Sequence, residues 1–133
     1  FNTSKVTNMT EMFAGYSGTT LDVSCFDTTN VTSMFKMFYG ASLLGELDLS
    51  MFRTPNLTGM SQMFNWTPRL YELDLSNFDV SKLSPSNDMF TSMGSYFGTK
   101  AIIIYSSDAA KAFFEDRIAT STKTRATVQV KEQ

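Results

Sequence analysis

The sequence lacks histidine altogether and contains one cysteine and three prolines among its 133 residues. Without histidine, Ser-His-Asp and Cys-His nucleophiles and histidine-ligated metal sites are excluded. Cys25 has no second cysteine to pair with, so no disulfide within the chain staples the fold. No apolar run reaches the roughly 18 residues of a bilayer-spanning helix. We therefore expect no catalytic residue, metal or cofactor, and no membrane insertion of this stretch of chain.

Charged residues of the two signs are nearly balanced in number but unevenly placed. The net charge is −2 and the isoelectric point is about 5.0, which argues against nucleic acid or an anionic membrane as a partner. Residues 1–98 contain five Lys or Arg and nine Asp or Glu, whereas residues 99–133 contain six and four. This change of charge indicates a boundary near residue 99.

One bulky pair recurs at nearly constant spacing. Met-Phe occurs four times, at intervals of 25, 26 and 26 residues, as Met12-Phe13, Met37-Phe38, Met63-Phe64 and Met89-Phe90. Internal repeats of this length are typical of stacked-coil architectures. Because the flexible thioether of methionine fills gaps between imperfectly identical coils, we interpret Met-Phe as the core filler of one coil.

Each repeat contains two kinds of periodicity. In the segment ELDLS, Leu47 and Leu49 alternate with polar residues, which predicts a short strand with one buried face. A single unit cannot bury all its apolar positions, whereas stacked units can. Apolar residues spaced i, i+3, i+6 and i+7 then predict about two turns of helix; in the second repeat they are Val31, Met34, Met37 and Phe38.

A longer pattern is present at residues 21–40 as LDVSCFDTTNVTSMFKMFYG. Two repeats also follow the spacing L-x-x-L-x-L-x-x-F, with phenylalanine where leucine-rich repeats usually have asparagine: Leu44, Leu47, Leu49, Phe52 and Leu70, Leu73, Leu75, Phe78. The chain resembles the bacterial surface-protein 26-residue repeat family. That family is found in BspA-like, leucine-rich-repeat-like surface proteins of Firmicutes and in a mycoplasma lipoprotein domain of unknown function. The resemblance covers residues 1 to about 98.

The periodicity and this resemblance together predict an α/β repeat solenoid. We expect a leucine-rich-repeat-like, right-handed solenoid with a short parallel sheet, short helices on the other side and a C-terminal cap. Residues 1–98 are expected to form about four 26-residue repeats, the first one truncated. Residues 99–133 are expected to form a strand-helix-strand cap, with Ile102 and Ile104 facing inward. In the cap helix, the residues expected to cover the last coil are Ala109, Ala112, Phe113 and Ile118.

The resemblance also implies a location and a role. It implies exposure on the surface of a Gram-positive bacterium or a mycoplasma, within a longer chain. It further implies adhesion, with an unidentified extracellular or host protein or glycan as the partner.

A column of acidic residues is the strongest candidate for a binding surface. Asp22, Asp48 and Asp74 occupy one outward strand position in successive repeats, flanked by Glu46 and Glu72. Parallel strands lie about 4.8 Å apart, and carboxylates at that distance repel by about 1 kcal/mol in water. Three arrangements relieve this repulsion: a hydrogen-bonded ladder with Ser and Thr along the sheet, a basic protein or peptide, or calcium.

Aromatic residues complete the candidate ligand-binding set. Trp66, Tyr71 and Tyr105 are not explained by the core pattern, and rings beside carboxylates are common in recognition sites. Trp66 stands where Gly15 and Gly40 stand in earlier repeats, which indicates a position near the surface; packing against a neighbouring loop is the alternative. The predicted ligand-binding residues are Glu46, Asp48, Trp66, Tyr71, Glu72, Asp74 and Tyr105.

Three functions are compatible with these features. The first is a non-enzymatic adhesion or interaction module. The second is a passive spacer that presents another domain of a larger surface protein. The third is a polysaccharide-cleaving enzyme with Glu46 or Glu72 as general acid, which requires two carboxylates whose pKa values are driven apart. A repeated, exposed column offers no such asymmetry, so we favour the interaction module.

Overall fold

Four short parallel strands form one sheet. The computed structural model describes residues 2–85, 88–97, 102–121 and 124–131. The strands are β1 (Glu46–Asp48), β2 (Glu72–Asp74), β3 (Ile102–Ser106) and β4 (Ala126–Val130), in the spatial order β1-β2-β3-β4. These ranges also contain the α-helix α1 (Lys111–Thr120) and a 3-10 helix at Ser95–Phe97. The order of strands in the sheet therefore follows their order in the sequence.

The alternation of buried and exposed residues in the strands agrees with the sequence pattern. β1 pairs with β2 so that Leu47 lies beside Leu73. Both leucines are buried, and Ile104 of β3 continues the row. Ile103 and Tyr105 of β3 face the other way and are partly exposed. The sheet thus presents one apolar inner row and, in β1 and β2, an acidic outer row.

The prediction of a short helix is wrong for the first three repeats, whose turns the structure describes completely. Residues 35–40 form consecutive turns, in which the amide of Met37 donates to the carbonyl of Met34 and the amide of Tyr39 to that of Lys36, both at 3.1 Å. Lys36 has a φ of 53°, a left-handed conformation that does not fit into a right-handed helix. The spacing of the apolar residues suits this series of turns as well as it suits a helix.

A second ladder of backbone hydrogen bonds joins the turns of adjacent repeats. The amide of Lys36 donates to the carbonyl of Ser61 at 3.0 Å, and the amide of Phe38 donates to that of Met63 at 3.0 Å. One repeat earlier, the amide of Phe13 donates to the carbonyl of Met37 at 2.8 Å. Buried amides must find acceptors, and here they find them in the next repeat. We call this arrangement the turn ladder.

The phenylalanine of each Met-Phe pair stacks on that of the next pair. The ring centroids of Phe13, Phe38, Phe64 and Phe90 are successively 5.6, 5.8 and 6.0 Å apart, and the rings are nearly parallel. Phe114 of α1 ends this column, 6.2 Å from Phe90 and turned by 67°. The core-filler interpretation is confirmed for the three fully buried methionines, Met37, Met63 and Met89.

α1 buries other side chains than the predicted ones, although the predicted Phe113 and Ile118 also pack against the core and are partly buried. Its buried side chains are Phe114 and Arg117, and Ala110 just before the helix is also buried. Arg117 is tolerated there because its guanidinium pairs with Asp116. The residues predicted for this face are instead exposed or only partly buried: Ala109, Ala112, Phe113 and Ile118. In the described part of the chain, no helix has the length and apolar character that a bilayer crossing requires.

Candidate functional site: an acidic depression on the sheet

The outer face of the sheet contains a shallow depression of about 400 Å³, which we call the acidic depression. β1 and β2 supply its carboxylates, because their register sets Glu46 beside Glu72 and Asp48 beside Asp74. Five of the seven predicted ligand-binding residues line it, and Lys131, which the sequence analysis did not single out, lines it as well. The complete lining is Glu46, Leu47, Asp48, Glu72, Asp74, Tyr105 and Lys131.

The aspartates of the predicted column are bonded within their own repeats. Each accepts a backbone hydrogen bond of 2.9 Å from the serine two residues later, as Asp48 does from Ser50. At the first position, the hydroxyl and the amide of Ser24 lower the pKa of Asp22. Turns of this kind hold a carboxylate in place at the end of a strand. The predicted ladder along the sheet is therefore not built by these aspartates.

Threonine forms the side-chain ladder that does run between repeats, and the sequence analysis missed it. The hydroxyl of Thr28 donates to the carbonyl of Arg53 at 2.8 Å and accepts from its amide at 3.1 Å. Thr54 makes the same pair of bonds with Asp79. Thr3, Thr28 and Thr54 are all buried. Their spacing of 25 and 26 residues was the available signal.

Asp74 is predicted to face outward, but it is buried and paired. Its side chain is 9% exposed and accepts a hydrogen bond of 2.5 Å from Nζ of Lys131, which reaches it from beyond β4. Burial acts to raise the pKa of Asp74, but the bonds from Lys131 and Ser76 outweigh burial and lower that pKa. The same contact raises the pKa of Lys131. Both groups are therefore ionised at neutral pH.

Two tyrosine hydroxyls donate hydrogen bonds to the glutamates of the acidic depression. Tyr71 donates to Oε1 of Glu46, and Tyr105 donates to Oε1 of Glu72 at 3.4 Å. The bond to Glu46 raises the pKa of Tyr71, which keeps its hydroxyl protonated. Nζ of Lys131 also lies 5.8 Å from the centroid of the Tyr105 ring. Tyr71 and Tyr105 thus lie beside the acidic residues, as predicted.

Trp66 lies apart from these residues, in the turn ladder. Its amide donates to the carbonyl of Thr91 at 2.9 Å. The side chain is 49% exposed, so the predicted surface position is confirmed. Its φ is 61°, close to the 72° and 71° of Gly15 and Gly40 at the equivalent positions. A bulky side chain is uncommon in this conformation, and it does not join the acidic depression.

The acidic depression holds a large excess of negative charge. Four carboxylates and one ammonium group give a formal charge of −3. Clefts lined by one sign of charge attract groups of the opposite sign. Across the residues that the structure describes, no group of three or more His, Cys, Asp or Glu is arranged to hold a metal ion. The negative charge of this face therefore attracts cationic groups.

The fold and this face define a repeat protein with a Met-Phe layer, a short parallel sheet and an acidic outer surface. The profile of the family described as Mycoplasma protein of unknown function, DUF285, matches residues 1–100. The chain belongs to this family, and the matched range contains all four Met-Phe pairs. No curated protein and no solved structure matches the chain. The mycoplasma part of the resemblance is thus confirmed, whereas the BspA-like part stays a prediction.

Proposed function

We propose that the chain is a non-enzymatic surface module that binds a basic segment of an extracellular protein through the acidic depression. The observation that carries this proposal is the convergence of four carboxylates from β1 and β2 on one depression that contains a single ammonium group. The carboxylates repel one another, and this repulsion raises the free energy of the face while no ligand is bound. A lysine- or arginine-rich ligand relieves this repulsion, and its binding therefore depends on salt.

The architecture that we propose for this module is a leucine-rich-repeat-like solenoid. Two regular features support it: hydrogen bonds from one repeat to the next in the turn ladder, and four parallel strands ordered as in the sequence. Solenoids present extended surfaces that suit protein partners. Membership of the mycoplasma family fits a surface protein loosely, and we include cell-surface exposure in the proposal.

A passive spacer is the second candidate, and a specific observation favours it. Most polar groups of the acidic depression already have partners inside the chain: Glu46 with Tyr71, Glu72 with Tyr105, and Asp74 with Lys131. A surface that satisfies itself needs no ligand for stability. In the spacer, the acidic face would serve solubility alone.

The enzyme hypothesis receives no comparable support. A general acid requires a carboxyl group whose pKa is raised. The most buried carboxylate of the acidic depression, Asp74, has a lowered pKa because Lys131 and Ser76 bond its charged form. We therefore propose binding without catalysis.

The decisive experiment measures binding of the chain to a panel of matrix proteins, mucins, glycans and a lysine-rich peptide. In the variant Glu46→Gln/Glu72→Gln, the side chains keep an oxygen that accepts the tyrosine hydroxyl but lose both charges. We expect this variant to weaken binding to the peptide at least about tenfold, equivalent to about 1.4 kcal/mol, and to reduce its salt dependence.

The matched control is Glu11→Gln/Asp108→Asn, which removes two charges from exposed residues outside the acidic depression. We expect its affinity to equal that of the parent chain. Equal loss in both variants would indicate a response to net charge alone, and absence of saturable binding to every member of the panel would favour the spacer.

A further inference from the structure

Lys131 places a cation of the chain itself in the acidic depression. Its Nζ donates to Oδ2 of Asp74 at 2.5 Å and lies 5.8 Å from the centroid of the Tyr105 ring. The bond to Asp74 is the main cause of the raised pKa of Lys131, and the charge of Asp48 adds to it. Two carboxylates and an aromatic ring thus act on one ammonium group, and the same groups suit a lysine side chain of a basic ligand.

Both oxygens of Asp74 are engaged while Lys131 is in place. Oδ1 accepts the amide of Ser76 at 2.9 Å, and Oδ2 accepts the ammonium group of Lys131. The side chain of Asp74 is only 9% exposed, so its carboxylate is approached along the path that Lys131 already fills. A cation from a ligand therefore reaches Asp74 by replacing Lys131 and not by joining it.

The side chain of Lys131 can leave this position while its backbone stays in the sheet. The amide of Lys131 donates to the carbonyl of Ser106 at 2.9 Å, which continues the pairing of β3 with β4. The side chain is 46% exposed, and a lysine stem is flexible. Rotation of the stem therefore moves the ammonium group into water without breaking the strand pairing. The formal charge of the acidic depression then changes from −3 to −4, because its four carboxylates remain.

We propose that Lys131 is an internal competitor, which occupies the position of one cationic side chain of the partner and is displaced when the partner binds. This inference rests on the proposed function, because it concerns regulation of the same site. Exchange of one ion pair for another at Asp74 adds little affinity. The gain in affinity therefore comes from further cations that contact Glu46, Asp48 and Glu72, so Lys131 selects ligands with several basic residues.

The first test compares two variants that lose one positive charge each. Lys131→Met keeps an unbranched stem but cannot pair with Asp74. The matched control is Lys5→Met, at an exposed residue that does not line the acidic depression. We expect Lys131→Met to bind the lysine-rich peptide at least about fivefold more tightly than the parent chain, and Lys5→Met to bind it within about twofold. Addition of Asp74→Asn to Lys131→Met should remove most of the gain, because the released carboxylate is then missing.

The second test uses the parent chain and does not depend on the folding of a variant. Nuclear magnetic resonance of the nitrogen-labelled chain follows the ammonium group of Lys131 while the lysine-rich peptide is added. The signal of Lys131 is identified by its loss in Lys131→Met. We expect this signal to move toward that of a solvated lysine, and to saturate at the same peptide concentration as binding does.

The outcomes separate this inference from the proposed function. If the parent chain binds the peptide and Lys131→Met binds it no better than Lys5→Met, the competitor role is overturned while the proposed function stands. An unchanged Lys131 signal in the saturated parent chain overturns it in the same way. Binding by Lys131→Met but not by the parent chain supports strong competition. Absence of binding by every variant overturns both proposals.

Discussion

The two ends of the molecule treat the same Met-Phe pair in opposite ways. At the first repeat Met12 is 41% exposed and Phe13 is partly buried, whereas at the last repeat Met89 and Phe90 are fully buried. The difference comes from what lies beyond each pair. The fully buried Phe114 of α1 closes the column of rings at one end, whereas at the other end Phe13 is contacted edge-on by Tyr16, which is itself only partly buried. The repeat sequence thus determines which residues face the core of a coil. How deeply those residues are buried depends on what packs against that coil.

The largest effect is expected in the middle of the column. Phe64 is fully buried between Phe38 and Phe90, so Phe64→Ala leaves a cavity and should lower the free energy of unfolding by about 3–5 kcal/mol. Phe13→Ala at the open end is the matched control and should cost about half as much, because Phe13 is only partly buried. Denaturant titration measures both. Equal costs would contradict the contrast between the interior and the open end.

At the closed end, Phe114→Ala should lower the free energy of unfolding by about 3 kcal/mol and expose Phe90. Its neighbour Phe113 is partly buried, so Phe113→Ala should cost about 1 kcal/mol or less. Thermal unfolding checks the difference, and binding of a hydrophobic dye should rise only for the Phe114 variant. The reverse order of costs would mean that the buried face of α1 is the one that the sequence predicted.

The ion pair between Asp74 and Lys131 ties the C-terminal segment to the sheet. Asp74→Asn keeps an oxygen for the amide of Ser76 but loses the charge, and we expect a cost of about 1 kcal/mol after allowance for the half-exposed Lys131. Asp48→Asn makes the same change at an exposed position and should be nearly neutral. Urea titration in low and high salt distinguishes the two, and equal costs would show that burial of Asp74 is unimportant.

The same pair predicts how stability depends on pH. The pKa of Asp74 is lower in the folded chain than in the unfolded chain. Its contribution is therefore complete above the unfolded value of about 4 and is lost as pH falls through the folded pKa. We expect the urea concentration at the unfolding midpoint of the parent chain to decrease when the pH is lowered below about 4. In Asp74→Asn we expect a smaller decrease. Parallel curves for the two chains would contradict this linkage.

The smallest effect concerns the left-handed position in the turn ladder. Gly15 occupies it in the first repeat and Trp66 in the third, with φ values of 72° and 61°. Glycine adopts this conformation without strain, so Trp66→Gly should raise stability by about 0.5–1 kcal/mol, less any packing that the half-exposed ring provides. Thermal unfolding measures the change. A clear loss of stability would show that the ring packs more tightly than its exposure indicates.

The sequence predicted the repeat length, the strand alternation and the role of the buried Met-Phe pairs, because these depend on spacing alone. It did not distinguish turns from helix, since the spacing of Val31, Met34 and Met37 fits both. It did not predict the left-handed conformation of Lys36, because an ordinary side chain there reveals nothing about φ.

For the candidate site, the sequence brought together the carboxylates of β1 and β2 because their repeat positions coincide. It could not predict the pairing of Asp74 with Lys131, since 57 residues separate them and Lys131 belongs to no repeat. A ladder of aspartate with Ser and Thr was one of three arrangements that it left open, and it did not single out the buried threonines, which recur at the same spacing. The repeat pattern in the sequence therefore predicted the position of the acidic face. The partners of its charged groups depend on tertiary contacts that the sequence does not reveal.

The most direct test of the stacked turns is nuclear magnetic resonance of the second and third repeats. We predict contacts between the amide proton of Phe38 and protons of residues 63–64, together with slow exchange of that amide, because it donates to Met63. Contacts between α protons and amide protons three residues later throughout residues 31–38, without contacts to the third repeat, would show a helix. That result would contradict the turn ladder and remove the hydrogen bonds between repeats that support the proposed solenoid.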